Sequence, residues 1–177
     1  MMIMPRGQQL LLPAKPLFIV MSLFMALLMN MLENVGLLGN AAWMPDFLAL
    51  VLLFWSVHQP QRVGIGWAFI LGLACDVHQV SFLGQHALAY TVQGFLATLI
   101  HRRLLWFSVP SQALQVLPLF AISHAISMVL RMSLSGSLVG WSMFFAPMIE
   151  ACLWPIVSVI LLAPQRRAPD PDENRPL

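Results

Sequence analysis

Apolar residues run through this chain in long blocks, broken only by short polar or proline-marked stretches, and that pattern leaves few folds open to it. Hydrophobic residues make up 59% of the sequence and charged residues only 9%, with a mean hydropathy of +0.81. A soluble domain carries about 25% charged residues, so a water-facing surface cannot be assembled from what is here. One bilayer crossing needs about 20 predominantly apolar residues, and six of them would use most of the 177 present. The fold expected is an all-α, polytopic integral membrane protein with about six transmembrane helices.

The apolar runs fall at residues 16–33, 42–57, 63–75, 83–100, 113–130 and 141–162. The break Gln59-Pro60-Gln61-Arg62 makes the second and third runs a hairpin. Both are short, so a re-entrant pair with four full spans stands as the alternative. Trp43 and Trp55 lie near the ends of the second run, at interface-like positions. The opening apolar patch is broken by Pro13 and Pro16 with no small-residue cleavage site, so the first long run is expected to stay as a membrane helix. The expected organisation is a cytoplasmic segment over residues 1–15, a six-helix membrane domain over 16–163, and a disordered, proline-rich cytoplasmic tail over 164–177.

Arginine and lysine accumulate in short cytoplasmic loops. With six spans and a cytoplasmic amino terminus, Arg6, Lys15, Arg62, Arg102, Arg103, Arg166 and Arg167 all fall inside, and only Arg131 falls outside. This predicts an inner-membrane protein with both termini in the cytoplasm.

Ionisable groups inside a span are costly, about 2.5 to 3.5 kcal/mol at the centre on insertion scales, so each asks for a partner or a function. Glu33, Asp46 and Asp76 fall at helix ends on the outer side, where solvated interfacial carboxylates are the plain reading. Gly64, Ala68, Gly72 and Asp76 recur every four residues, which lines three small side chains and then the acid along one helix face. Small residues at that spacing let a neighbouring helix approach closely and would hold the acid between helices. Glu150 lies inside the sixth run ahead of Trp154-Pro155, where proline removes a backbone donor. Its candidate partner is Arg131, in an ion pair or a protonatable site; a neutral buried carboxyl is the alternative. Polar stripes at helical spacing, His86, Tyr90, Gln93 and Ala97 on the fourth run and His124, Ser127 and Arg131 on the fifth, turn toward other helices. Interhelical hydrogen bonds or a lined pocket would use them.

The net charge of +2 is scattered, without the basic, aromatic-interleaved patch that nucleic acid needs. Cys75 and Cys152 sit far apart inside apolar runs and are read as small hydrophobes. The five histidines have no metal-ligand spacing, and there is no nucleophile or phosphate-loop motif. No enzyme, cofactor or metal site is expected.

The stretch from Pro45 to Ala97 resembles the rod shape-determining MreD family of small bacterial inner-membrane proteins. The resemblance is carried by Pro45-Asp46, by Leu53-Phe54-Trp55, and by Arg62-Val63-Gly64. It continues through the glycine-rich segment from Gly66 to Asp76, Phe82-Leu83-Gly84 with Ala87-Leu88, and Leu153-Trp154-Pro155 followed by Arg166-Arg167. It implies a non-catalytic scaffold of lateral peptidoglycan elongation and rod-shape maintenance. The implied partners are the filament protein MreB, MreC, the glycan polymerase RodA and a class B penicillin-binding protein. It also implies a fold similar to the substrate-capturing subunits of energy-coupling-factor transporters. That supplies the rival function, a small-molecule-binding transporter subunit with Asp76, His86, Tyr90 and Glu150 lining a cavity.

Overall fold

The computed structural model describes residues 14–34, 44–79, 81–135 and 144–165. These residues form six α-helices: α1 (Pro16–Asn34), α2 (Phe47–His58), α3 (Ile65–His78), α4 (Gln85–Leu104), α5 (Val109–Ser135) and α6 (Phe145–Leu162), with a 3-10 turn at Ala163–Gln165. The expected amino-terminal segment through Pro13, the tail after Gln165 and Trp43 lie outside the described residues, as does the side chain of Glu33.

Pairings between side chains set the helix directions. Asn30 meets Asp46 while Ser22 meets Trp55, so α1 and α2 run antiparallel. His124 meets Glu150 and Gln112 meets Trp154, so α5 and α6 do as well. The Gln59–Gly64 turn reverses the chain from α2 to α3, and Arg62 Nη1 donates to the Ala14 carbonyl at 2.6 Å, fastening that turn to the start of α1. Lys15, Arg62, Arg102 and Arg103 therefore gather at one end of the bundle. Asp46, Asp76 and Glu150 lie toward the other.

α2 is the centre of the bundle. Leu48, Leu52, Leu53, Phe54, Trp55 and Val57 are fully buried, and the helix contacts α1, α4 and α6. A helix hydrophobic all round is the one expected in the interior. Trp55, expected near a membrane interface, is buried with its Nε1 donating to Ser22 Oγ at 2.8 Å and its ring edge-on to Phe18 and Phe54. Phe54 also packs against Trp154 of α6.

Two helical stretches, Val109–Leu134 and Phe145–Gln165, are long and apolar enough to cross a membrane. Outward faces are apolar too: Met21, Met25, Ile70, Leu99, Leu114, Val129 and Ile160 are all more than half exposed. Such a surface belongs in lipid, and the protein is membrane-associated. α2 and α3, at 12 and 14 residues, are about 18 and 21 Å long at 1.5 Å per residue, short of the roughly 30 Å hydrocarbon layer. The expected count of six full spans is not reached on length alone.

The tightest helix contact lies between α3 and α4. A Cβ placed on Gly72 would stand 2.5 Å from the Ala87 Cα and 2.7 Å from its nitrogen. Ala68, on the same face, is buried against Gly94, where an added Cβ would come 3.5 Å from the Ala68 methyl. Gly64, expected to begin this packing stripe, instead precedes α3 as its N-cap, and a Cβ there would meet only the Pro60 carbonyl at 3.8 Å. The periodic face begins one turn later than the spacing suggested.

Gly72→Ala forces the two backbones apart, an overpacking cost of about 1–3 kcal/mol or more. Gly66→Ala adds its methyl to open space. In denaturant titrations of detergent-purified protein, Gly72→Ala should lower the unfolding midpoint sharply and Gly66→Ala should leave it unchanged or slightly raised.

Candidate functional site

The acid-bearing end of the bundle holds two clusters of polar side chains. In the first, Asp76 near the end of α3 closes the start of α4. Its Oδ2 accepts from the Gly84 and Ala87 amides at 2.9 and 3.2 Å. Its Oδ1 accepts from the His86 amide at 2.8 Å and the Ser81 hydroxyl at 3.0 Å, with His86 Nδ1 also at 2.8 Å. A helix begins with amides that have no partner in the helix, and an N-cap side chain normally supplies one. Here the N-cap is Gly84, held at φ 99 in the left-handed region that glycine tolerates. It has no side chain to give, and Asp76 reaches across from the preceding helix instead. Anionic groups are favoured there by the helix dipole as well.

The second cluster joins the other helices. Asp46 caps α2 by accepting from the Ala49 amide at 2.9 Å, which fits an aspartate directly before an apolar helix. Its Oδ1 also accepts from Asn30 Nδ2 of α1 at 2.7 Å, and its Oδ2 takes the hydroxyl of Tyr90 from α4. Glu150 of α6 uses Oε1 to accept from the Asp46 amide at 2.9 Å and lies 2.8 Å from His124 Nε2 of α5. Cys75 Sγ sits 4.0 Å from both Asn30 Nδ2 and the Tyr90 hydroxyl. Six helices thus contribute to one polar end. Asp46, expected as a solvated interfacial carboxylate, is its hub.

The base that meets Glu150 is His124 and not the expected Arg131. In antiparallel helices depth decides pairing: Arg131 lies seven residues beyond His124, about 10 Å farther along α5. Gln93 also departs from expectation. It is fully buried, but among the described residues neither its amide nitrogen nor its oxygen has a hydrogen-bond partner, and the same holds for Glu150 Oε2 and the hydroxyls of Ser56 and Ser158. Each such group costs about 1–3 kcal/mol relative to a bonded one. Ala97 is fully buried, and both cysteines are free thiols, Cys75 buried and Cys152 exposed.

Sequence reasoning thus placed Asp76, His86, Tyr90 and Glu150 among the candidates, and the structure puts them at the same end. Asp46 and His124 were visible only as an interfacial acid and a stripe member. Asn30 gave no signal at all, being one polar residue in a methionine-rich helix. Among the described residues no group of three or more histidine, cysteine, aspartate or glutamate side chains is arranged to hold a metal ion.

The fold and this site define an all-helical membrane protein in which Asn30, Asp46, Asp76, Tyr90, His124 and Glu150 bond helices to one another. The chain belongs to the family of the rod shape-determining protein MreD, matching it over residues 13–164. Over 127 residues it is 33% identical to the rod shape-determining protein MreD of Haemophilus influenzae, which covers 70% of this chain and 76% of that relative. No solved structure matches it. Family membership assigns the chain a role in rod shape at the membrane, and a non-enzymatic one.

Asp76→Ala strips the first turn of α4 of its acceptors, and Asp76→Asn replaces one acceptor oxygen by a donor facing donors. Hydrogen bonds to charged groups contribute about 1.5–3 kcal/mol each. Both variants should unfold at lower denaturant than the parent and lose amide-exchange protection first at residues 84–87. Unchanged protection there would contradict the remote-cap assignment.

Proposed function

We propose that the chain crosses the bacterial inner membrane six times with both termini in the cytoplasm, and acts as a scaffold of the lateral wall-elongation complex. In this role it joins cytoplasmic MreB filaments and MreC to wall synthases, RodA and a class B penicillin-binding protein. The observation that carries the reading is the occupation of the polar side chains: Asp76, His86, Asp46, Tyr90, Asn30, His124 and one carboxylate oxygen of Glu150 are engaged with one another or with backbone amides. A network so engaged fixes helix positions, which is what a scaffold requires, and its members Asp46, Asp76, His86 and Tyr90 are already committed to one another or to backbone amides.

The six-span count draws support from packing. A short helix can sit at membrane depth where protein surrounds it, because irregular flanking backbone is tolerated inside a bundle. α2 is in that position, covered along nearly its whole length. Orientation draws support from the basic residues gathered at one end. A fold in common with energy-coupling-factor substrate-binding subunits goes with the same six-helix reading.

Depleting the protein from its rod-shaped host should give round cells, and re-expression should restore rods. Affinity purification of the tagged full chain from native membranes should recover a wall synthase or the filament system. Normal rods at full depletion, or recovery of an ATPase module in place of wall synthases, would contradict the proposal.

A further inference from the structure

The α4–α5 turn combines features that the scaffold role does not use. Arg102 and Arg103 end α4, and both are exposed. Trp106 follows at 90% exposure, flanked by Leu105 at 44% and Phe107 at 42%. An indole this bare is not part of the bundle's packing.

The turn is nevertheless built to hold it in place. Leu104 is fully buried beneath it. The Leu105, Trp106 and Phe107 amides donate to the carbonyls of His101, Arg103 and Leu104 at 3.0, 3.2 and 3.2 Å. Gln112, in the first turns of α5, is buried; its Nε2 donates to the Phe107 carbonyl at 3.0 Å and its Oε1 accepts from Trp154 Nε1 at 3.3 Å. The core thus braces the segment that presents Trp106 outward, and the ordering cost of a binding surface is already met by folding.

Charge selects the occupant. Among the described residues the salt bridges are the two histidine–carboxylate pairs at the far end of the bundle, so neither Arg102 nor Arg103 is neutralised by a described acid. Two guanidiniums beside a protruding indole and two apolar side chains match a phospholipid at the interface: indoles settle at headgroup depth, and guanidiniums bind phosphate with two parallel hydrogen bonds. Each basic residue at an anionic membrane surface contributes about a fivefold preference.

We propose that the α4–α5 turn is a binding site for the headgroup of an anionic phospholipid, with Arg102 and Arg103 on the phosphate and Trp106 seated at the boundary with the acyl chains. This rests on the reading of the chain as membrane-spanning with its basic end at a bilayer surface. The site would fix the depth of that end and favour anionic lipid around the protein.

The test uses the full chain in lipid nanodiscs and reads Trp106 as the fluorescence difference between the parent and Trp106→Phe. At equal mole fraction, brominated phosphatidylglycerol should quench that signal about two- to fivefold more steeply than brominated phosphatidylcholine, and Arg102→Gln combined with Arg103→Gln should abolish the difference. Equal quenching by the two lipids, or a preference that survives the double substitution, would overturn the site while leaving the membrane placement standing. Quenching by aqueous iodide and by neither lipid would overturn both, and would mark the turn as a surface for a protein partner in the aqueous phase.

Discussion

The backbones of α3 and α4 touch at Gly72 and Ala87, closer than any side chain would allow, and much of the bundle's arrangement follows from that contact. Close approach brings Asp76 to the first turn of α4, where its carboxylate supplies acceptors that Gly84 cannot. With α4 set in this way, Tyr90 reaches Asp46 on α2, and Asp46 in turn meets Asn30 of α1 and Glu150 of α6. In lipid, helices gain little from hydrophobic burial against one another, so small-residue packing and interhelical hydrogen bonds carry association. This chain uses both, and it uses them at the same end.

The division between the two ends is electrostatic as well as structural. Carboxylates near the acid-bearing end take donors from α1, α2, α4 and α5 and from the α3–α4 turn, while the basic residues at the other end are disposed around short turns. Arg62 closes one such turn onto the Ala14 carbonyl, and Arg102 and Arg103 stand free of described acids at another. An internally hydrogen-bonded end and an exposed, cationic end give a membrane component two unlike faces. That suits a protein of rod-shape machinery, whose proposed partners lie on opposite sides of the bilayer.

Much of this was legible in the amino-acid order because membrane constraint acts on composition and period. All six expected apolar runs correspond to helices, and Gly72 and Asp76 stood out because small residues at four-residue spacing mark one helix face. What could not be read was partnership across helices. Arg131 was the charge-complementary choice for Glu150, but depth along α5 favours His124, and depth depends on how long helices are staggered. Asp46 looked interfacial because it falls at a helix end on the expected outer side; its partners come from helices 16, 44 and 104 residues away. Trp55 fitted an interface by position and a core by packing, and only the placement of α2 at the centre decides between them.

The contact of α3 with α4 can be examined directly with a cysteine pair. Ala68→Cys and Gly94→Cys, in a chain with Cys75 and Cys152 replaced, would place two Cβ atoms about 3.5 Å apart, within the 3.5–4.5 Å that a disulfide spans. In native membranes under mild oxidation the account predicts rapid, near-complete cross-linking within one chain, with none for a Gly66→Cys and Gly94→Cys pair. A pair at 68 and 94 that stays reduced, in protein that is otherwise folded, would contradict it.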